Sequence, residues 1–164
     1  MNDLVILAAL LRGPAYGYAL KKTAGLIFSH DEMHNNIVYP SLKRLTQEGW
    51  VEQRSVPGDR GQDRKQYRLT TPGKKHLIAQ LANSGDTGAD DDGAFLFRVA
   101  LFDYLSKSRR REILSARRAF LTTRAARLAS LKKATRARSY GAVVLKHLCA
   151  QVVSELEWIG QLES

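Results

Sequence analysis

One cysteine in 164 residues, Cys149, rules out an intramolecular disulfide and any zinc site built on several thiolates. Stability must come from a packed core, and a reducing compartment is the expected setting. Four prolines and 12 glycines exclude a collagen-like chain. Long apolar runs are missing too. Leu4 to Leu11 and Phe95 to Phe102 are about eight residues each, the second interrupted by Arg98, against the roughly 20 that span a bilayer. The chain begins Met1-Asn2-Asp3, an acid where a secretory signal carries lysine or arginine, and no small-x-small pattern follows the first apolar run. A soluble, cytoplasmic protein with no membrane partner is expected. There is no internal repeat, Walker loop, Rossmann glycine signature, HExxH, Gly-x-Ser-x-Gly, paired catalytic carboxylate or triad. Nothing supports an enzyme, and no cofactor or metal is expected.

What is present is a core-forming chain, 44% hydrophobic, with 26 Lys+Arg against 16 Asp+Glu. Residues 1–82 carry 12 bases and 7 acids, 83–94 carry 4 acids and no base, and 95–164 carry 14 bases and 5 acids. The middle stretch contains three glycines and no large apolar side chain, so it reads as an acidic linker between two basic modules. Basic modules point to a polyanionic partner, because each phosphate neutralised by Lys or Arg releases condensed counterions.

In the first module Leu4, Ile6, Leu7, Leu10 and Leu11 have helical spacing until Gly13-Pro14 stops the pattern. A second helix runs from Gly17 to Phe28. Asn35 or Asn36 caps a third, with Pro40 in its first turn and Val38, Leu42 and Leu45 as its inner stripe. At about 100° per residue, Asn36, Pro40, Lys43 and Gln47 lie opposite that stripe, flanked by Tyr39 and Arg44. Two strands, 50–54 and 65–69, enclose the turn-forming Pro57-Gly58-Asp59-Arg60-Gly61. Thr71-Pro72 then opens a fourth helix as N-cap and N1 proline. Three helices and a hairpin with a charged tip predict a winged helix-turn-helix, its third helix in the major groove of double-stranded DNA and its wing on the backbone or minor groove. The fold class is therefore mainly α with a small β-hairpin, a DNA-binding domain over 1–82 followed by a helical dimerisation domain over 95–164.

Gly17-Tyr18, the run Val38-Tyr39-Pro40-Ser41-Leu42-Lys43-Arg44-Leu45 with Glu48-Gly49-Trp50-Val51, and Asp63-Arg64-Lys65-Gln66-Tyr67-Arg68-Leu69-Thr70 with Gly73 resemble the PadR family of bacterial transcriptional regulators. The resemblance covers residues 4–80. It implies a homodimeric DNA-binding repressor whose carboxy-terminal helices dimerise and which often answers to a small molecule. Asn35-Asn36-Ile37 departs from the small helix start of many members, so no base preference carries over.

Asn36, Lys43 and Gln47, beside Asn35, have the amide and amine groups that pair with adenine and guanine edges. Tyr39, Arg44, Arg64 and Lys65 suit phosphate contacts, which set register without reading sequence, and Arg60 is the wing-tip candidate. Pro40 fixes the helix start.

In the second module, 107–138 holds 12 bases and one acid, Glu112, on one long helix with Leu114, Leu121 and Leu128 seven apart. The basic residues do not form one stripe, and they read either as a solvated face or as a second surface for phosphate or an acidic ligand. A last helix sets Leu145, Val152 and Ile159 in one heptad row and Cys149 and Leu156 in the companion row. Two amphipathic helices in a short module predict a homodimer. Cys149 reads as a buried small hydrophobe, with a redox switch as the alternative. His30 and His34 have the spacing of a helical metal pair but fall in a turn. Tyr16, Phe28, Phe95, Phe97 and Trp158 are either core or the lining of a pocket for a small aromatic or phenolic effector, as the resemblance implies.

Overall fold

A computed structural model describes residues 2–28, 35–57, 63–83 and 88–163, with side chains for all of these except 23–28 and 35–36. The fold is mainly helical, with one three-stranded antiparallel sheet. In order the elements are α1 (Asn2–Ala9), β1 (Ala15–Tyr16), α2 (Gly17–Phe28), α3 (Asn35–Gln47), β2 (Val51–Val56), β3 (Arg64–Leu69), α4 (Thr71–Ala82), α5 (Asp92–Val99), α6 (Lys107–Ala134) and α7 (Tyr140–Glu163). A short 3-10 turn, Leu10–Arg12, extends α1. No described helix is long and apolar enough to cross a membrane. The chain divides into two compact units, Met1–Asn83 with Leu96–Leu105, and Ser84–Phe95 with Ser106–Ser164.

The first unit is a winged helix-turn-helix. Its α1 packs on α2, α3 and α4, with Ile6, Leu7, Val38, Leu42, Leu45 and Leu77 at most 1% exposed. Those residues repeat at three- and four-residue intervals, so each helix offers one apolar face to the shared core. The sheet order is β1-β3-β2, with Val51 opposite Leu69 and Ala15 opposite Tyr67. The strand β1 is an addition to the sequence reading: Pro14 favours extended backbone just before it, and two residues suffice to pair with β3.

Two local readings are corrected. α3 begins at Asn35, so Pro40 is its sixth residue and lies in the second turn rather than the first. The helix thus runs through a residue that cannot donate to the carbonyl four positions back. The N-cap of α4 is Thr70, not Thr71: its extended backbone lets Oγ1 accept from Gly73 N at 3.0 Å, leaving Thr71 and Pro72 inside the first turn.

In the second unit α6 and α7 form an antiparallel hairpin. Leu114, Leu121, Leu128, Val152 and Ile159 are buried in it, while Leu145, Cys149 and Leu156 are half-buried. The heptad rows are therefore largely spent within one chain. Ser106 caps α6 by accepting from Arg109 N at 3.2 Å. Part of the stretch read as a linker is structured: Gly88 to Asp91 form a turn, Asp91 Oδ1 accepts from Ala94 N at 2.9 Å, and α5 follows at Asp92. What orders it is Arg117, 1% exposed on α6, whose guanidinium donates to the Ala89 carbonyl, Asp92 and Glu155. Phe95 and Phe120 lie against the same cation at 5.0 and 5.3 Å. Neither reading of the basic helix, a solvated face or a phosphate surface, accommodates this buried arginine.

Candidate nucleic-acid interface

The end of α3 is fixed by a Schellman motif. Gly49 takes φ +72°, its N–H donates to the Thr46 carbonyl at 3.1 Å, and Trp50 N donates to the Leu45 carbonyl at 3.0 Å. Trp50 then starts the wing and stacks on His76 of α4, ring centroids 3.5 Å apart. Thr70 ties the two ends together, its Oγ1 donating to the Gly49 carbonyl at 2.7 Å. α4 comes so close here that a Cβ on Gly73 would lie 2.1 Å from the Trp50 carbonyl oxygen.

On this frame Val38, Leu42 and Leu45 of α3 are fully buried, and Tyr39, Pro40, Lys43, Arg44 and Gln47 are exposed. For the described side chains, these are the inner and outer faces read from the sequence. Ser41, 5% exposed, faces the core. Arg44 is engaged with Asp3 of α1 at 2.5 Å, and the Asp3 hydrogen bond, followed by its charge, raises the Arg44 pKa. Arg64 and Lys65, exposed on β3, border the same side of the unit, because they line one hollow together with Tyr39. Arg60 lies outside the described residues, as do His30 and His34, and the side chains of Asn35, Asn36 and Phe28 are likewise not described. Among the described residues no group of three or more His, Cys, Asp or Glu is arranged to hold a metal.

The sequence reading missed two features of this surface. One is a charge ladder on the wing: Glu52 accepts from Arg54 Nε at 2.7 Å and from Arg68 Nη2 at 2.8 Å. These two hydrogen bonds, Arg54 first, hold the Glu52 carboxyl below its ordinary range. The Glu52–Arg68 pairing was legible in principle, as the two face each other once the hairpin register is set. The other is a cluster of tyrosines. Tyr16, Tyr18, Tyr39 and Tyr67 line a hollow of about 500 Å³ with Gly17, Ala19, Arg64 and Lys65. Gly17 leaves room for the Tyr39 ring, since a Cβ there would sit 2.8 Å from Tyr39 Cε1.

The expected effector residues fall in three places. Tyr16 belongs to the tyrosine hollow. Phe97 lines a second hollow of the first unit, about 190 Å³, with Val5, Leu101, Arg12 and Tyr104. Phe95 and Trp158 meet edge to face in the second unit, centroids 6.1 Å apart, with Phe95 fully buried.

The Transcriptional regulator PadR-like family model matches residues 6–79. Among solved structures, smu.1704 of Streptococcus mutans is 34% identical, covering 48% of this chain and 71% of its own, with a TM-score of 0.41. A PadR family transcription regulator of Clostridium difficile is 25% identical over 48% of this chain and 81% of its own, TM-score 0.42. Bacillus subtilis PadR in complex with operator DNA is 18% identical over 98% of this chain and 96% of its own, TM-score 0.49. No curated protein matches.

Proposed function

The chain belongs to the PadR-like family of transcriptional regulators, and from that premise we propose that it is a homodimeric repressor reading an inverted-repeat operator in double-stranded DNA. The observation that carries this reading is the outer face of α3. Its inner side is locked by three fully buried residues and its end by the Gly49 motif, so Tyr39, Lys43 and Gln47 project from a rigid helix. Amine and amide groups on such a helix pair with guanine and adenine edges, while Arg44, Arg64, Lys65 and the wing's Arg60 take phosphates and set the register. Asn35 and Asn36 open the same helix and join the base-reading set; Pro40 shapes it.

Two protomers place two α3 helices about one helical turn, or a multiple, apart on the duplex. Support for a dimer comes from α7, where Val143, Val144 and Val153 stay more than half exposed although Val152 and Ile159 of the same helix are buried. Leu145, Cys149 and Leu156, half-buried at the seam, join that surface from its edge, next to Leu114, Leu121, Leu128, Val152 and Ile159. A small aromatic effector completes the reading: the hollow beside Phe97 combines apolar walls with a rim of Arg12, Asp103 and Tyr104, chemistry that suits a single-ring acid or phenol.

Selection of randomised duplex by the purified protein, at about 0.15 M salt with excess competitor, tests the proposal. An inverted repeat is expected to emerge with the wild type and to be lost with Lys43→Ala. Retention of DNA without any enriched sequence would replace the repressor by a backbone-binding architectural protein, the reading that the excess of Lys and Arg over acids favours.

A further inference from the structure

We infer that the turn end of the α6–α7 hairpin is a second DNA surface, where Arg127, Lys132, Lys133, Arg136 and Arg138 hold the phosphate backbone of a duplex without reading its sequence. The inference goes beyond the operator reading and does not depend on it, because none of these residues belongs to the winged unit.

Segregation of charge along the hairpin is the first argument. From residue 113 to residue 154 the chain has nine bases and no acid. Two of the nine, Arg117 and Arg118, lie nearer the start of α6, where carboxylates from other segments meet them: Arg117 pairs with Asp92 and Glu155, and Arg118 with Glu163. None of the remaining seven forms an ion pair among the described residues. Five of them fall within 127–138, where α6 ends and the chain turns into α7, and all five are exposed. So dense a group of cations without an anion of its own is complementary to a polyanion.

The second argument is that the needs of the fold do not account for these charges. Lys132 and Lys133, in the last turn of α6, complement the negative end of its dipole. Arg136 and Arg138 do the opposite. They precede the positive end of α7, whose first turn holds no acid, and Ser139 Oγ already caps that end by accepting from Ala142 N at 3.2 Å. Two cations thus stand where the helix dipole disfavours them, so neither is there to hold the hairpin. The third argument selects DNA among polyanions. A bilayer takes an amphipathic helix by its apolar face, but Leu121 and Leu128 of α6 are buried against α7. The large apolar side chains left exposed within 127–140 are Leu131 and Tyr140, too few for such a face. An acidic protein asks for cations in a fixed register, whereas at about 100° per residue Arg127, Lys132 and Lys133 stand on three sides of α6. Duplex DNA accepts that distribution, since its charge is dense and counterions are released whichever phosphates are met.

The test measures binding of the full chain to a random-sequence duplex by fluorescence anisotropy over a series of salt concentrations. All variants carry Lys43→Ala and Lys65→Ala as background, so that the winged face contributes less. That background is expected to keep measurable affinity, and complete loss of binding overturns the inference. Adding Arg136→Gln/Arg138→Gln should weaken binding about 3- to 10-fold and lower the slope of log affinity against log salt by about two, at roughly 0.9 per phosphate. Both positions lie outside the two helices, and an unchanged thermal midpoint checks that the hairpin stays folded. Arg136→Lys/Arg138→Lys should keep the slope, because the charge is kept. Lys107→Gln/Arg111→Gln removes equal charge from exposed positions at the start of α6, roughly 35 Å or more away along the helix and several Debye lengths off, and should also keep it. If that pair lowers the slope as much as Arg136→Gln/Arg138→Gln does, net charge and not a surface binds the duplex, and the inference falls. It falls equally if Arg136→Gln/Arg138→Gln binds like the background. Cosedimentation with vesicles of phosphatidylcholine and phosphatidylglycerol is expected to be absent; cosedimentation abolished by Arg136→Gln/Arg138→Gln would assign the surface to anionic lipid and overturn DNA. In the selection above, Arg136→Gln/Arg138→Gln alone should enrich the same sequence as the wild type. A selection that enriches nothing removes the operator reading and leaves the random-duplex measurement to decide this one.

Discussion

Asp3 on α1 holds the guanidinium of Arg44 on α3 in an ion pair at 2.5 Å. The residue that the sequence offers as a phosphate contact thus already has an anion beside it, and a DNA phosphate must compete with Asp3 or share Arg44 with it. Both partners are partly exposed, at 54% and 30%, so exchange with solvent and phosphate is open. Asp3→Asn is therefore expected to strengthen duplex binding about 2- to 5-fold and to steepen its salt dependence by up to one counterion. Arg44→Ala should weaken binding less than Lys43→Ala does. Anisotropy titrations of the three variants decide, and weaker binding by Asp3→Asn would mean that the pair orients Arg44 rather than occupying it. Little change in thermal stability is expected, as exposed pairs hold a fold weakly.

Among the described glycines of the first unit, Gly73 is the one least able to accept a side chain. A methyl group there would be 2.1 Å from the Trp50 carbonyl oxygen, and the contact is with backbone that Thr70 N also engages, at 3.1 Å. Gly73→Ala should destabilise the unit by about 1–3 kcal/mol, the usual cost of forcing backbone apart. Denaturant titration measures it. An unchanged midpoint would show that α4 shifts away without loss, and the close packing of the wing base would lose its structural weight.

Most of the winged unit is legible in the sequence, since its helices alternate apolar and polar faces and its hairpin is bounded by Pro and Gly. What is hidden depends on pairing at a distance. β1 is two residues long and exists only because β3 is beside it. The tyrosine hollow draws on α2, α3 and β3, so spacing along the chain gives no sign of it. The acidic stretch before α5 looks like a solvated linker because its composition contains nothing to bury. Its described part, from Gly88 onward, is held by Arg117, 25 residues further on from Asp92. The heptad leucines were visible as a seam, but a repeat cannot tell a partner helix in the same chain from one in another.

Arg117 is the most deeply buried cation among the described residues of the second unit. Its guanidinium is 1% exposed, whereas the Asp92 it engages is 69% exposed and Glu155 25%. Arg117→Ala removes the partner of two carboxylates and opens a cavity against Phe95 and Phe120. We expect a loss of about 3 kcal/mol, the low end for breaking a buried pair because Asp92 can rehydrate. Arg117→Met keeps the volume and should cost less. Chemical denaturation followed at Trp158, which packs on Phe95, reports on this unit. Equal midpoints for wild type and Arg117→Ala would mean that the turn before α5 is held by other contacts.

Glu52 makes the wing pH-sensitive in a definite direction. Hydrogen bonds from Arg54 and then Arg68 lower its pKa from the ordinary 4.5. A carboxylate with a depressed folded-state pKa contributes stability that is fully present above about 4.5 and is lost as pH falls through the folded value. Hydrogen exchange at Arg54 and Arg68 across the β2–β3 pair should therefore stay slow down to pH values near 4.5 and accelerate below it. In Glu52→Gln the acid-induced step should vanish, and the two arginines, released from their carboxylate, should raise affinity for random duplex. A carboxyl titration by NMR that places the Glu52 midpoint at or above 4.5 would remove the basis for both expectations, because the two hydrogen bonds would then not favour the charged form.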